Sequence, residues 1–159
     1  MSGQWLPIVI VLAALGAGLM AGIFYAFSRC VMQALGGLSR AEGMTAMKAM
    51  NVTILNPLFF VIFFGALAAC AVLAVYCLFA WGAPGSGWLL AGSTLYIVGG
   101  FLVTVIFNVP MNNALAASEV GTAAGEELWA DYLRRWTAWN HVRTAASAAA
   151  LVCFLLALI

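Results

Sequence analysis

The 159-residue sequence holds one histidine, His141, inside the run Trp136-Thr137-Ala138-Trp139-Asn140-His141-Val142-Arg143-Thr144. An imidazole titrates near neutrality, so His141 is a candidate general base. Around it Trp129, Tyr132, Trp136, Trp139 and Arg143 recur at intervals of three and four and share one helix face. That face could line an aromatic cavity for a planar ligand. It could also be the aromatic belt of a membrane surface, with Arg143 snorkelling to the headgroups. Asn140 lies about 40° from Trp136 on a helix and His141 about 140° from it, so one pocket sees both only if it spans a wide arc.

A second polar series is Tyr96, Gly100, Thr104, Asn108 and Asn112, at steps of four. Pro110 interrupts it, and a proline frees a backbone carbonyl that Asn side chains can satisfy. The segment therefore reads either as a capped structural kink or as a pocket lining. Asn56-Pro57 reads as a helix cap with proline in the first turn, and Asn51 as an interfacial polar group. One histidine cannot make a metal site without other strong ligands. Cys30, Cys70, Cys77 and Cys153 form no CxxC pair, and three of them fall in apolar stretches where cysteine packs as a small hydrophobe. No metal and no cofactor is expected.

These groups must be positioned by membrane helices. The chain is 66% hydrophobic and only 7% charged, against about 25% charged in soluble domains. No Lys or Arg run suggests nucleic acid. Between Lys48 and Glu119 the chain has no charge, enough for two crossings of roughly 20 residues and a turn. The Gly82-Ala83-Pro84-Gly85-Ser86-Gly87 cluster marks the turn. The expected spans are residues 5–31, 57–81, 88–109 and 140–159, the last continuing a helix that starts near Glu126. Residues 38–52, with Met44, Met47, Met50 and Ile54 at three- and four-residue spacing, read as an amphipathic helix with its methionines packing. The fold expected is all-α: a four-transmembrane-helix bundle with an amphipathic connecting helix, residues 1–159 forming a single domain.

In that topology the first and third connections carry the charges, so they face the cytoplasm and both termini lie outside the cell (inner) membrane. The N-terminal apolar stretch lacks a positive n-region and does not read as a cleaved signal. Ala14, Gly18, Gly22 and Ala26 form a small-residue stripe that packs within the bundle or, through Gly18 and Gly22, between copies in a homo-oligomer.

Three segments resemble the anthrone oxygenase-like (DUF1772) family: Ala21-Gly22-Ile23-Phe24-Tyr25-Ala26-Phe27-Ser28 with Val31-Met32 and Leu35, Asn108-Val109-Pro110-Met111-Asn112-Asn113 with Leu115-Ala116, and the segment from Trp136 to Thr144. Asn51 and the Asn56-Pro57-Phe59 region extend the resemblance over nearly the whole chain. It implies a small four-helix membrane protein that oxidises an anthrone-like or phenolic substrate with molecular oxygen, without metal or flavin. A base removes the acidic C–H proton, the carbanion reacts with oxygen, and the peroxide loses water to give the quinone. On this view His141 is the base, and Asn140, Asn112 or Arg143 stabilises the oxyanion. Trp136, Trp139 and Tyr25 stack the rings, with Asn51 and Asn108 among the substrate-binding residues. The partners are then membrane lipids and a lipophilic small molecule. The alternatives are a non-catalytic lipid- or quinone-binding module or small subunit of a membrane complex, and a transporter or channel.

Overall fold

The computed structural model describes residues 5–159. Five continuous helices follow one another: α1 (Trp5–Gly36), α2 (Arg40–Thr53), α3 (Pro57–Phe79), α4 (Ser86–Ala117) and α5 (Ala123–Leu156). Among the described residues there is no strand. Helices α1, α3 and α4 are long and apolar enough to cross a membrane. The chain is thus an all-helical protein with membrane-spanning character. α5 packs along α1 and α4, and its first dozen residues carry most of the charge of the second half of the chain.

Local chemistry sets the helix ends. The Asn56 side chain accepts from the Phe59 backbone N–H at 3.0 Å, and Pro57 follows in the first turn, the arrangement expected of an Asn cap. Ser39 and Glu42 form a reciprocal capping box at the start of α2. The Ser39 hydroxyl and backbone N–H hold the Glu42 carboxyl below its ordinary range. Thr122 accepts from the Gly125 N–H at 3.1 Å to open α5. Gly85 enters α4 at φ 78°, a left-handed conformation that favours glycine.

In a lipid environment helices associate through close packing rather than hydrophobic exclusion. Helices α1 and α3 meet at Gly16 and Ala66, and a Cβ on Gly16 would overlap the Ala66 side chain. Helices α4 and α5 meet at Gly99 and Ala146, and again where Gly92 faces Phe154. The stripe expected along α1 plays a smaller part. Ala14 is buried and Gly18 faces Leu151, whereas Gly22 and Ala26 are exposed. Steps of four drift by about 40° each, so the stripe winds away from the contact and the tightest approach falls on Gly16 instead.

Two apolar clusters result. One, including Met20, Phe24, Phe63, Cys70, Tyr96 and Phe154, fills the bundle of α1, α3, α4 and α5. The other docks α2 and the ends of α1 and α4 onto α5 through Met44, Met47, Leu35, Leu115, Trp129 and Tyr132. Met44 and Met47 are fully buried, so the methionine face of α2 is a packing face.

Helices α1 and α4 are not uniformly wound. Each opens into wider π-helical turns, at Phe27–Val31 in α1 and at Leu95–Leu102 and Thr104–Asn108 in α4. The Met32 N–H donates to the Phe27 carbonyl and the Val109 N–H to the Thr104 carbonyl, each five residues back. Pro110 follows directly and has no N–H to continue an α-helical ladder. The widening has a geometric result. On an α-helix, four steps of four residues would drift about 160°; wider turns hold more residues and reduce that drift. Tyr96, Gly100 and Asn108 are all buried, with Thr104 and Asn112 partly so, and the polar series stays on the inward side along its length.

Candidate functional site

A cavity of ≈ 280 Å³ lies between α1, α2, α4 and α5, near the charged ends of the helices. That volume is at the lower end for small-molecule sites, about 300–1,000 Å³. Its walls are mainly apolar, from Ile23, Phe24 and Phe27 of α1, Val52, the following Ile54 and Leu55, and Phe59 of α3. Polar groups enter from Thr104, Asn112 and Asn113 of α4, Asn140 and Arg143 of α5, and Lys48 and Asn51 of α2.

Arg143 dominates the inner end. It is only 5% exposed, and among the described residues no carboxylate lies within ion-pair distance of it. Its Nη1 donates to Thr104 Oγ1 at 3.2 Å, and its Nη2 donates to Asn140 Oδ1. The guanidinium carbon sits 4.2 Å from the centre of the Phe24 ring and 5.1 Å from that of Trp136. Its Nε has no hydrogen-bond partner among the described residues. Aromatic faces and neutral oxygens offset part of the cost of burying a cation, but they supply no negative charge. A buried cation held in that way attracts an anionic oxygen brought by a ligand.

Asn140 fixes this cation. Its Nδ2 donates to the Phe24 carbonyl at 2.6 Å and to Ser28 Oγ, which leaves Oδ1 facing the Arg143 fork. The bonds tie α5 to α1 beside the π-turn of α1. Thr104 is held in turn by donating to the Gly100 carbonyl at 2.7 Å.

Asn112 organises the opposite wall. Its Oδ1 accepts from Tyr132 Oη at 2.7 Å and from Trp136 Nε1 at 2.8 Å. Asn51 Nδ2 donates to the same tyrosine hydroxyl at 3.4 Å. Trp129, Tyr132 and Trp136 stack in series, with 18° between successive planes. Tyr132 belongs to the charged half of α5, outside the apolar spans, and burial pushes its phenol up, so it remains a donor. Asn108 is buried behind the cavity, where its Nδ2 donates to the Trp136 carbonyl at 3.3 Å. It holds the tryptophan backbone and does not line the space.

Of the candidate residues read from sequence, Asn51, Asn112, Trp136, Asn140 and Arg143 line one cavity. Three do not. His141 is exposed on the other side of α5 and does not line the cavity. The reason is angular: Trp136, Asn140 and Arg143 fall within about 60° of one another, and His141 lies at least 100° from any of them. Tyr25 is 57% exposed on the outer face of α1. Trp139 stacks on Phe107, with 3.6 Å between ring centres and 7° between planes, so its face is used within the protein. His141, Tyr25 and Trp139 thus lie apart from the cavity that the other candidates line. Phe24, Phe27, Lys48, Thr104 and Asn113 were not among the candidates. Thr104 had a signal as a member of the polar series, and Lys48 as the last charge before the uncharged stretch. Among the described residues no three His, Cys, Asp or Glu side chains gather at a point where they could hold a metal ion.

The model of the family described as anthrone oxygenase matches residues 59–153, more than half of the chain. The chain belongs to the anthrone oxygenase family. No curated protein and no solved structure matches it. The match to the anthrone oxygenase family runs from α3 to near the end of α5. It takes in Thr104, Asn112, Trp136, Asn140 and Arg143, and leaves α1 and α2 outside. So the cavity of this anthrone oxygenase family member has one wall within the matched region and one beyond it.

Proposed function

We propose that the protein is a membrane oxygenase that converts the activated CH₂ of a lipophilic anthrone-like or phenolic substrate to a carbonyl with molecular oxygen. Two findings support this: the family to which the chain belongs, and a carboxylate-free Arg143 buried at the end of an apolar-walled cavity. The second carries the mechanism. Arg143, seated by Asn140 and Thr104, receives the carbonyl oxygen of the substrate. As the C–H proton leaves, charge grows on that oxygen, and a preorganised cation in a dry site stabilises it strongly. No Asp, Glu or His lines the cavity. Arg143 therefore acts by making the substrate more acidic, and the proton passes to solvent at the Lys48 end. The resulting carbanion reduces oxygen and forms a C–O bond; the peroxide anion takes back a proton from solvent and then loses water across its O–O and remaining C–H bonds. The balance is one CH₂ and one O₂ giving one C=O and one H₂O. Trp136 and Phe27, whose ring centres lie 6.1 Å apart, form part of the aromatic wall beside the rings.

In this reading α5 is the fourth membrane span, its apolar second half packed on α1 and α4. The chain is then a four-helix bundle with both termini outside and the charged connections in the cytoplasm, in the cell (inner) membrane. The experiment is oxygen consumption by purified protein in lipid nanodiscs given an anthrone, with the quinone followed by absorbance. Equimolar oxygen uptake and quinone formation above the protein-free rate support the proposal. A co-purifying lipid or quinone with no turnover would replace it with a non-catalytic binding module.

A further inference from the structure

The cavity contains two cationic side chains and no anionic one. Arg143 occupies the inner end, and Lys48 of α2 lines the end nearest the charged connections. Among the described residues no carboxylate lies within ion-pair distance of Lys48. Glu126 pairs with Arg40 at 3.1 Å, Asp131 with both Arg134 and Arg135, and Glu42 with Ser39. Lys48 Nζ donates to the Ser118 carbonyl, which uses one of its three N–H groups and fixes the ammonium at the cavity edge. Asn51, one turn further along α2, lines the same wall. The oxyanion described above satisfies only Arg143, so a second cation remains at the far end, held by one backbone carbonyl and by no carboxylate among the described residues.

We propose that Lys48 receives an acidic oxygen group, a carboxylate or phosphate, of a molecule that also fills the aromatic part of the cavity or lies at its mouth. The preferred occupants are then organic anions with acidic chemistry at one end and a carbonyl or phenol oxygen at the other. The acid can belong to the aromatic ligand or to a lipid headgroup. The inference rests on the cavity being a ligand site and not on the oxygen chemistry.

The test compares anthraquinone-2-carboxylate with its uncharged analogue 2-hydroxymethylanthraquinone, by quenching of tryptophan emission in phosphatidylcholine nanodiscs. The carboxylate should bind about ten-fold more tightly to the native protein, the size of one charge-assisted hydrogen bond. Lys48→Met should bring the two ligands within about two-fold while leaving the uncharged one unchanged, and Lys48→Arg should keep the preference. Nanodiscs containing phosphatidylglycerol separate the sources. Survival of the preference there assigns Lys48 to the acid of the ligand, and its loss assigns Lys48 to a lipid phosphate. Equal affinities in the native protein, or a preference that survives in Lys48→Met, overturn the proposal. Carboxylate preference without turnover removes the oxygenase reading alone, and turnover without preference removes this inference alone.

Discussion

Replacing Arg143 by methionine separates its catalytic from its structural contribution. The substitution keeps an unbranched stem of similar reach and removes the charge. Two hydrogen bonds are lost, to Thr104 and Asn140, each worth about 1.5–3 kcal/mol because the donor is charged. Contacts with the Phe24 and Trp136 rings contribute about 0.5–2 kcal/mol more. Against this stands the relief of several kcal/mol from no longer burying a cation that lacks a carboxylate. The opposing contributions are of similar size, so the net change in stability should be under about 2 kcal/mol, or a shift in unfolding midpoint of under about 8 °C for a chain of this length. Catalysis has no such compensation. Loss of one preorganised oxyanion partner reduces the rate about 10²–10³-fold. The assay pairs oxygen uptake with an anthrone against thermal unfolding in the same nanodiscs. Arg143→Lys should fall between, since a point charge cannot meet Thr104 and Asn140 as a fork does. Activity of Arg143→Met within ten-fold of native would refute the oxyanion assignment. Loss of folded protein would show that Arg143 is chiefly structural.

His141→Ala should leave oxygen uptake within a few-fold of native, because the imidazole lies outside the cavity; a loss beyond 100-fold would restore it as the base. Asn112→Leu takes the acceptor from Tyr132 and Trp136 together and should cost about 1–3 kcal/mol for each stranded donor in thermal unfolding, whereas Asn112→Asp should retain most of the stability. Gly99→Ala should destabilise by about 1–3 kcal/mol through overlap with Ala146, and adding Ala146→Gly should recover most of it. The Ser39–Glu42 box predicts a pH dependence. The folded state lowers the Glu42 pKa from 4.5, so its stabilising contribution is complete above that unfolded value and is lost as pH falls through the lower, folded one. Hydrogen exchange at the first turn of α2 should accelerate across that window, and Ser39→Ala should abolish the dependence.

Much of this architecture is legible in residue order. The uncharged stretch between Lys48 and Glu119 and the breakers at residues 82–87 place α3 and α4. Asn56-Pro57 marks the start of α3 because its cap is a local interaction. The spacing of Trp136, Asn140 and Arg143 places them on one face of α5, and helix angles alone already set His141 far round. The positions that sequence alone does not reveal have physical causes. The Trp139 face is taken by Phe107, a partner 32 residues away whose contact no periodicity reports. Tyr25 lies between Gly22 and Ala26 in sequence but faces outward from α1. Lys48 reaches the cavity only because α2 docks its buried methionines against α5, which is a tertiary event. The inward course of the polar series depends on π-helical turns, and a 3.6-residue period does not contain them.

The cavity draws its walls from both the part of the chain that the family match covers and the part that it does not. The groups assigned to the chemistry, Thr104, Asn112, Trp136, Asn140 and Arg143, come from α4 and α5. The groups at the rim, Lys48, Asn51 and Val52, come from α2, while Phe24 of α1 packs on Arg143 at the inner end. Rim and inner end thus draw on different helices: under the proposed function, a chimaera that exchanges residues 5–53 with those of another family member should change the substrate range and keep the reaction.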